Sequence, residues 1–330
     1  MRKNSTKILI FLFFLILAGI IFFILRLSFK WSFENIQTKE KLDMKLIADE
    51  VSTTTTELKI PSFTVLLSGT ELKQGDSLII VAENVPKGEK ITGKFNDKSF
   101  NFFSVEPEGK HVALLGVDAK KSPGKYSLSV FLSGEPKIEK TITVKKSNFF
   151  VTEMPITPEL EEEGFTSENI AENIATKDGV IIYEVLGKYS PEAYFNQSFI
   201  YPLDKIINVG AFGNIRKDGG ITIQHLGVDL DAVEGTPIYA VNSGKVVLVE
   251  KLTVFGNTII IDHGLGIYSL YLHLSEFKVA EGQMLKRREL IGLSGNTGWS
   301  VGPHLHLSIK VNGASVDPLK FIKVVDEFLN

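Results

Sequence analysis

The chain has 330 residues, 44% of them hydrophobic and 23% charged, with a net charge of −3 at neutral pH. That length suffices for two modest domains plus accessory segments, and the scattered basic residues leave no footprint for nucleic acid. Cysteine is absent, which excludes disulfides, thiolate metal sites and cysteine nucleophiles and leaves histidine and carboxylate to hold any metal.

In chain order, the first predicted element is ILIFLFFLILAGIIFFIL, residues 8–25, 18 positions without a charge. It is long enough to cross a hydrocarbon layer of about 30 Å. The following RLSFKWSF offers no small-residue cleavage site, and its Trp31 and Phe33 suit a membrane interface. Arg2, Lys3 and Lys7 outnumber Arg26 and Lys30. Residues 1–33 are therefore expected to be a cytoplasmic tail and uncleaved transmembrane helix, a cleaved signal peptide being the alternative, and both readings place the bulk of the chain outside. Residues 34–60 are polar, include STTTT, and read as a stalk.

Residues 61–147 turn to short β segments: SFTVLLSG, DSLIIVAEN, KITGKF, SFNFFSVE, KHVALLGVD, KYSLSVFLSG and KIEKTITVKK. Their regular spacing and turns such as PKGE and SPGK predict a small immunoglobulin-like β-sandwich. His111, alone at the start of a strand, is read as structural. Residues 148–194, with TPELEEEGFTSENIAENIA, are acidic and partly helical in pattern, and read as a connector with a solvated charged face. Residues 195–325 are rich in strands and glycine, and PLKFIKVVDEFLN hints at a short terminal helix or strand.

Five of the six histidines lie between residues 225 and 306. In HLGVDLDA, His225, Gly227, Asp229 and Asp231 alternate with Leu226, Val228 and Leu230, which favours a strand. In YSLYLHLS, Tyr271 and His273 oppose Leu270, Leu272 and Leu274; in HLHLSI, His304, His306 and Ser308 oppose Leu305, Leu307 and Ile309. If the three strands are neighbours, their polar faces make one site of His225, Asp229, His273, His304 and His306. A catalytic zinc needs three N or O ligands and one position for water. Two histidines and a carboxylate meet that need, and two histidines remain for proton transfer or oxyanion stabilisation. The metal would bring its bound water towards a pKa of ~7 and polarise a carbonyl. Spacing alone does not say which of His304 and His306 is a ligand, and a half-exposed sheet also sets polar residues opposite leucines.

An ordered series carries a resemblance: GAFGNIR, HLGVDLDAVEGTPIYAVNSGKVV, FGNTIIIDHGLGIYSLYLHLSEFKVAEGQ, IGLSGNTGWSVGPHLHLSI and NGASVDPLKF. Residues 195–320 resemble the lysostaphin/LytM-type zinc endopeptidases, which cut peptide bonds in bacterial peptidoglycan. The resemblance implies zinc ligands His225, Asp229 and His306, with His273 and His304 catalytic, one as general base and the other as transition-state stabiliser, in either order. VALLGVDAKKSPGKYSLSV is similar to a non-catalytic domain sometimes found before this module. Arg287 and Arg288 stand where the family more often has a lysine–glycine turn. His263 reads as a turn or sheet-support residue. Asn257 and residues 294–302 are expected to shape the groove, a purely turn-forming role for Asn257 being equally open.

The expected fold is mainly β: a transmembrane helix, the sandwich, and an antiparallel β-sheet peptidase domain over 195–325. The expected function is a zinc metalloendopeptidase, one ion per chain, that hydrolyses peptidoglycan stem peptides or cross-bridges by a metal-activated water. Its partners are peptidoglycan, the membrane and other cell-envelope proteins, with no nucleic acid. It is expected at the cell membrane, single-pass, with its C-terminal domains extracytoplasmic. The rival expectation is a non-catalytic wall-binding regulator of other hydrolases; the presence of all five polar residues favours the enzyme.

Overall fold

Alternating apolar residues build two packed sheets from the first half of the chain. The computed structural model describes residues 63–153, 156–207, 209–218 and 221–329. The transmembrane helix and stalk expected before residue 61 lie outside them, and no helix among the described residues is long and apolar enough to cross a membrane.

The first sheet runs β1 (Thr64–Leu67), β3 (Ser77–Glu83), β7 (Lys110–Gly116), β6 (Phe103–Val105). The second runs β2 (Glu71–Lys73), β9 (Glu135–Lys145), β8 (Gly124–Leu132), β4 (Ile91–Phe95), β5 (Lys98–Asn101), with β2 parallel to β9. SFNFFSVE, expected as one strand, is thus two strands in different sheets. Phe100 turns into the sandwich interior, where it packs over Gly93, while Phe103 faces the other way, its ring 5.8 Å from that of Phe195.

A ribbon of β10 (Val151–Glu153), β12 (Ile215–Asp218) and β13 (Ile221–Gln224) leads into the C-terminal half. Its main sheet runs β11 (Val209–Gly210), β14 (Val228–Asp231), β22 (His304–Val311), β18 (Ile267–Leu274), β17 (Gly256–Gly264), β16 (Gly244–Leu252), β20 (Met284–Leu285). β23 (Ala314–Val316) pairs with β22. A smaller sheet joins β15 (Pro237–Tyr239), β21 (Leu290–Leu293) and β19 (Glu276–Phe277).

The connector is more ordered than its acidic composition suggests. It forms α1 (Pro158–Glu162), α2 (Ser167–Thr176) and α3 (Asp178–Leu186). Thr166 and Asn169 close a capping box on α2, satisfying backbone donors that the first turn leaves bare. Glu159, Glu161 and Glu162 are exposed as expected, but Leu160, Phe165 and Ile170 pack on Val254 and Trp299. Val185, with Ile182 beside it, packs on Leu270 and Leu272. The last element, α4 (Pro318–Leu329), is a helix because Asp317 accepts from the Leu319 and Lys320 N–H groups and Pro318 sits at the first position.

The two halves share one core. β3 and β7 are continuous apolar runs because both their faces are buried, which is also how strands covered on both sides read in sequence. Leu78, Ile80, Ala113 and Leu115 fill the sandwich. Ile79, Val81, Val112 and Leu114 join the cluster that holds Phe199, Phe321 and Ile309. Polar contacts close the seam: Asp118 accepts from the Ser315 N–H at 2.7 Å, and Asn312 Nδ2 donates to Leu114 O at 3.1 Å. Gly116 is required here, since a Cβ would lie 2.7 Å from that of Ala314.

Phe321→Ala should therefore cost about 3–5 kcal/mol in chemical denaturation, monitored on sandwich and C-terminal sheet together. A sandwich signal unmoved by that change would contradict the shared core.

Candidate metal centre

Antiparallel pairing of β14 with β22 sets Asp229 opposite His306 and Asp231 opposite His304. His225 departs from the expectation of a strand residue. It lies in the turn between β13 and β14, whose first paired residue is Val228. The turn passes so close to β22 that a Cβ on Gly227 would sit 2.4 Å from His306 Nε2 and 2.5 Å from Leu307 O. Glycine is what lets His225 reach back over the strand.

β18 also departs from the expected alternation. Leu272 pairs with His306 and Leu270 with Ser308, so these leucines share the face of the site and are covered by α3. Tyr271 instead enters the main core. Regular alternation would send His273 there too. Its φ is +62°, and this left-handed residue turns the ring to the site, 5.0 Å from the His304 ring. The structure thus brings together all five residues expected there, two of them by local breaks in strand geometry.

The hydrogen-bond partners fix the tautomers. His225 Nδ1–H donates to Ala211 O at 3.0 Å, so the neutral ring presents a bare Nε2. Ser308 O–H donates to Leu226 O, so Ser308 Oγ accepts from His306 Nε2–H at 2.9 Å and leaves Nδ1 bare. The His225 Nε2, His306 Nδ1 and Asp229 Oδ1 atoms then lie 2.9 Å from one another on every side of a triangle. Three lone pairs converge with no hydrogen left to place between them. Such a donor set calls for a cation, and two imidazole nitrogens and a carboxylate suit zinc with a further position open.

Arg216 Nη2 donates to Asp229 Oδ2 at 2.5 Å and leaves Oδ1 to the triangle. Burial opposes ionisation of Asp229, but the His225, His304 and His306 rings hold its carboxyl far below the usual range. Burial pulls His306 down to about 4 and His273 to about 3, keeping both neutral. His304 goes the other way: burial is outweighed by the Asp229 carboxylate, 3.5 Å away, and its pKa is raised. Both of these flanking rings donate Nδ1–H to a carbonyl, His273 to Thr297 O at 2.8 Å and His304 to Gly302 O at 2.7 Å. Each ring, when neutral, therefore carries its lone pair on Nε2, that of His304 lying 3.5 Å from Asp229 Oδ1.

The remaining expectations sort by contact. His263 is wholly buried in β17, its Nδ1–H donated to Ser243 O, and supports the sheet. His111 stays in the sandwich beside Ser104. Asn257 Nδ2 donates to Leu274 O and its N–H to Thr297 Oγ1, tying the His273 bend to the loop of 294–302. Arg287 and Arg288 contact Gln197 and Asp204 and do not touch the triangle. The roles of Arg216 and Ser308 were not read from sequence; Ser308 had a signal, its place on the face of the two histidines. The connector's part was also missed: buried Asp178 accepts from the Thr253 and Val254 N–H groups.

Residues 223–318 match peptidase family M23. Peptidoglycan DD-endopeptidase ShyB of Vibrio cholerae is 37% identical over 135 residues, 40% of this chain and 31% of that protein. Lysostaphin of Staphylococcus staphylolyticus is 39% identical over 112 residues, 32% of this chain and 23% of that protein. The chain thus spans about a third or less of these relatives. A crystal structure of a putative peptidase M23 from Pseudomonas aeruginosa matches at TM-score 0.55 and 24% identity, over 76% of this chain and 93% of that one. It shows the likeness of fold.

His306→Ala should remove stoichiometric zinc on elemental analysis, while His304→Ala should keep it. Equal metal content in the two variants would contradict the triangle as the ligand set. Ser308→Ala, which frees the tautomer of His306, should weaken zinc affinity about 10–100-fold in a competition titration.

Proposed function

Given that residues 223–318 are a domain of peptidase family M23, we propose that the protein is a zinc-dependent endopeptidase acting on the peptides of peptidoglycan. The observation that carries this reading is the triangle of bare donor atoms flanked by two further imidazoles with free nitrogens. His225, Asp229 and His306 hold one ion. When bound, it supplies the Lewis acidity that polarises the scissile carbonyl and acidifies a water.

The chain's own groups divide the remaining work. His304, with its raised pKa, takes the proton from the attacking water and returns it to the leaving amine. His273 stays neutral, and its bare Nε2 accepts a hydrogen bond that orients the same water. Arg216 keeps Asp229 turned so that one oxygen serves the ion. The relatives that act on peptidoglycan, and an apolar segment at 8–25 that suits an outward-facing anchor, support the cell wall as the substrate's location.

The test is incubation of the purified protein with sacculi, followed by mass analysis of the released peptides. Release should stop with a chelator and return with added zinc. His304→Ala should lower turnover at least about 100-fold with zinc retained. Release that persists in the metal-free protein would overturn the reading.

A further inference from the structure

A cavity of about 350 Å³ opens beside the metal-binding residues and runs under the connector. Its near end is formed by His225, His273 and His306, its floor by Leu270 and Leu272, and its roof by Ile174 of α2 and Ile182 of α3. The far end is cationic. Lys310 lies on β22, on the same face as His306 and Ser308, and Lys120 arrives from the loop between β7 and β8 of the sandwich. Arg216 also lines the space, and among the described residues no aspartate or glutamate does.

Lys310 is short of acceptors. Its Nζ donates to Ser315 Oγ at 2.5 Å, and no carboxylate among the described residues forms an ion pair with it. The nearby Asp118 is already engaged, accepting from the N–H groups of Ser315 and Lys120, each at 2.7 Å. Burial draws the Lys310 pKa down to about 8, with Asp118 opposing and Lys120 adding to the fall. A half-buried ammonium with donors to spare is stabilised by an arriving anion.

We propose that this cavity is a subsite for a carboxylate of the substrate peptide, held by Lys310 and Lys120. The proposal rests on the endopeptidase reading for its substrate. Four residues separate Lys310 from His306, about 14 Å of strand, so an extended peptide would place that carboxylate within about four residues of the bond cut. The source is either the C-terminus of the peptide or an acidic side chain; the chemistry is the same. The loop that carries Lys120 gives the sandwich a part in recognition, for it completes the cationic end.

The test measures equilibrium binding of three probes to the full zinc-loaded chain. They are acetyl-pentaalanine as the free acid, the same peptide as its C-terminal amide, and that amide with one alanine replaced by glutamate. A carboxylate-bearing probe should bind about tenfold more tightly than the plain amide. Preference for the free acid assigns the C-terminus, and preference for the glutamate peptide assigns a side chain. Lys310→Met should abolish the preference and Lys310→Arg should keep it, with zinc content and unfolding midpoint unchanged. Equal binding of all three probes, or a preference that survives Lys310→Met, would overturn the proposal. Should Lys310→Met fail to fold, Lys120→Met carries the test, and an unchanged preference there overturns it equally. Sacculi left uncut while the charge preference holds would sink the endopeptidase reading and leave the subsite standing.

Discussion

Three unshared electron pairs at the corners of a 2.9 Å triangle repel one another, and much of the C-terminal half is arranged to hold them there. Ala211 O and Ser308 Oγ draw the imidazole hydrogens outward. Arg216 turns the carboxylate, the β14–β22 register sets Asp229 against His306, and Gly227 lets the His225 turn close on the strand. In water such an arrangement would relax or protonate. Held by a sheet with a buried core beneath it, it stores affinity for a cation, and binding that cation is linked to folding.

The same sheet explains why the sandwich and connector matter. Ile79, Val81, Val112 and Leu114 would be an exposed apolar stripe on a free-standing sandwich; here they complete the core around Phe199 and Phe321. The sandwich is thereby fixed against the C-terminal half, and the loop bearing Lys120 reaches the cavity. The connector acts from the other side. Its apolar residues cover Leu270 and Leu272, and Asp178 pins the 253–255 turn beside the site. Three stretches of chain thus meet around one cavity floor.

Much of this was legible from residue pattern. The alternation in HLHLSI puts His304, His306 and Ser308 on one face, and β22 has them so. HxxxD and HxH together, in order, mark four of the five polar residues that converge, and YLHL carries the fifth, His273. Other parts misled. Alternation in YSLYLHLS sets Tyr271 with His273, yet the bend at His273 separates them and leaves Leu270 and Leu272 on the site's face. SLIIVA and VALL are runs buried on both sides, a signal of a second covering layer that a sandwich reading alone does not use.

The chain's own order of residues determined the mainly β character, the absence of thiolate chemistry and the identity of the donor side chains, because these follow from residue type and short-range periodicity. Tertiary structure alone decided which nitrogen of each imidazole is bare, which carboxylate oxygen faces inward, and what roofs the cavity. Those depend on carbonyls, hydroxyls and a guanidinium supplied from elsewhere in the chain, Leu226 O lying 82 residues from Ser308. A hydrogen-bond partner that distant leaves no periodic trace, since only folding brings it within reach.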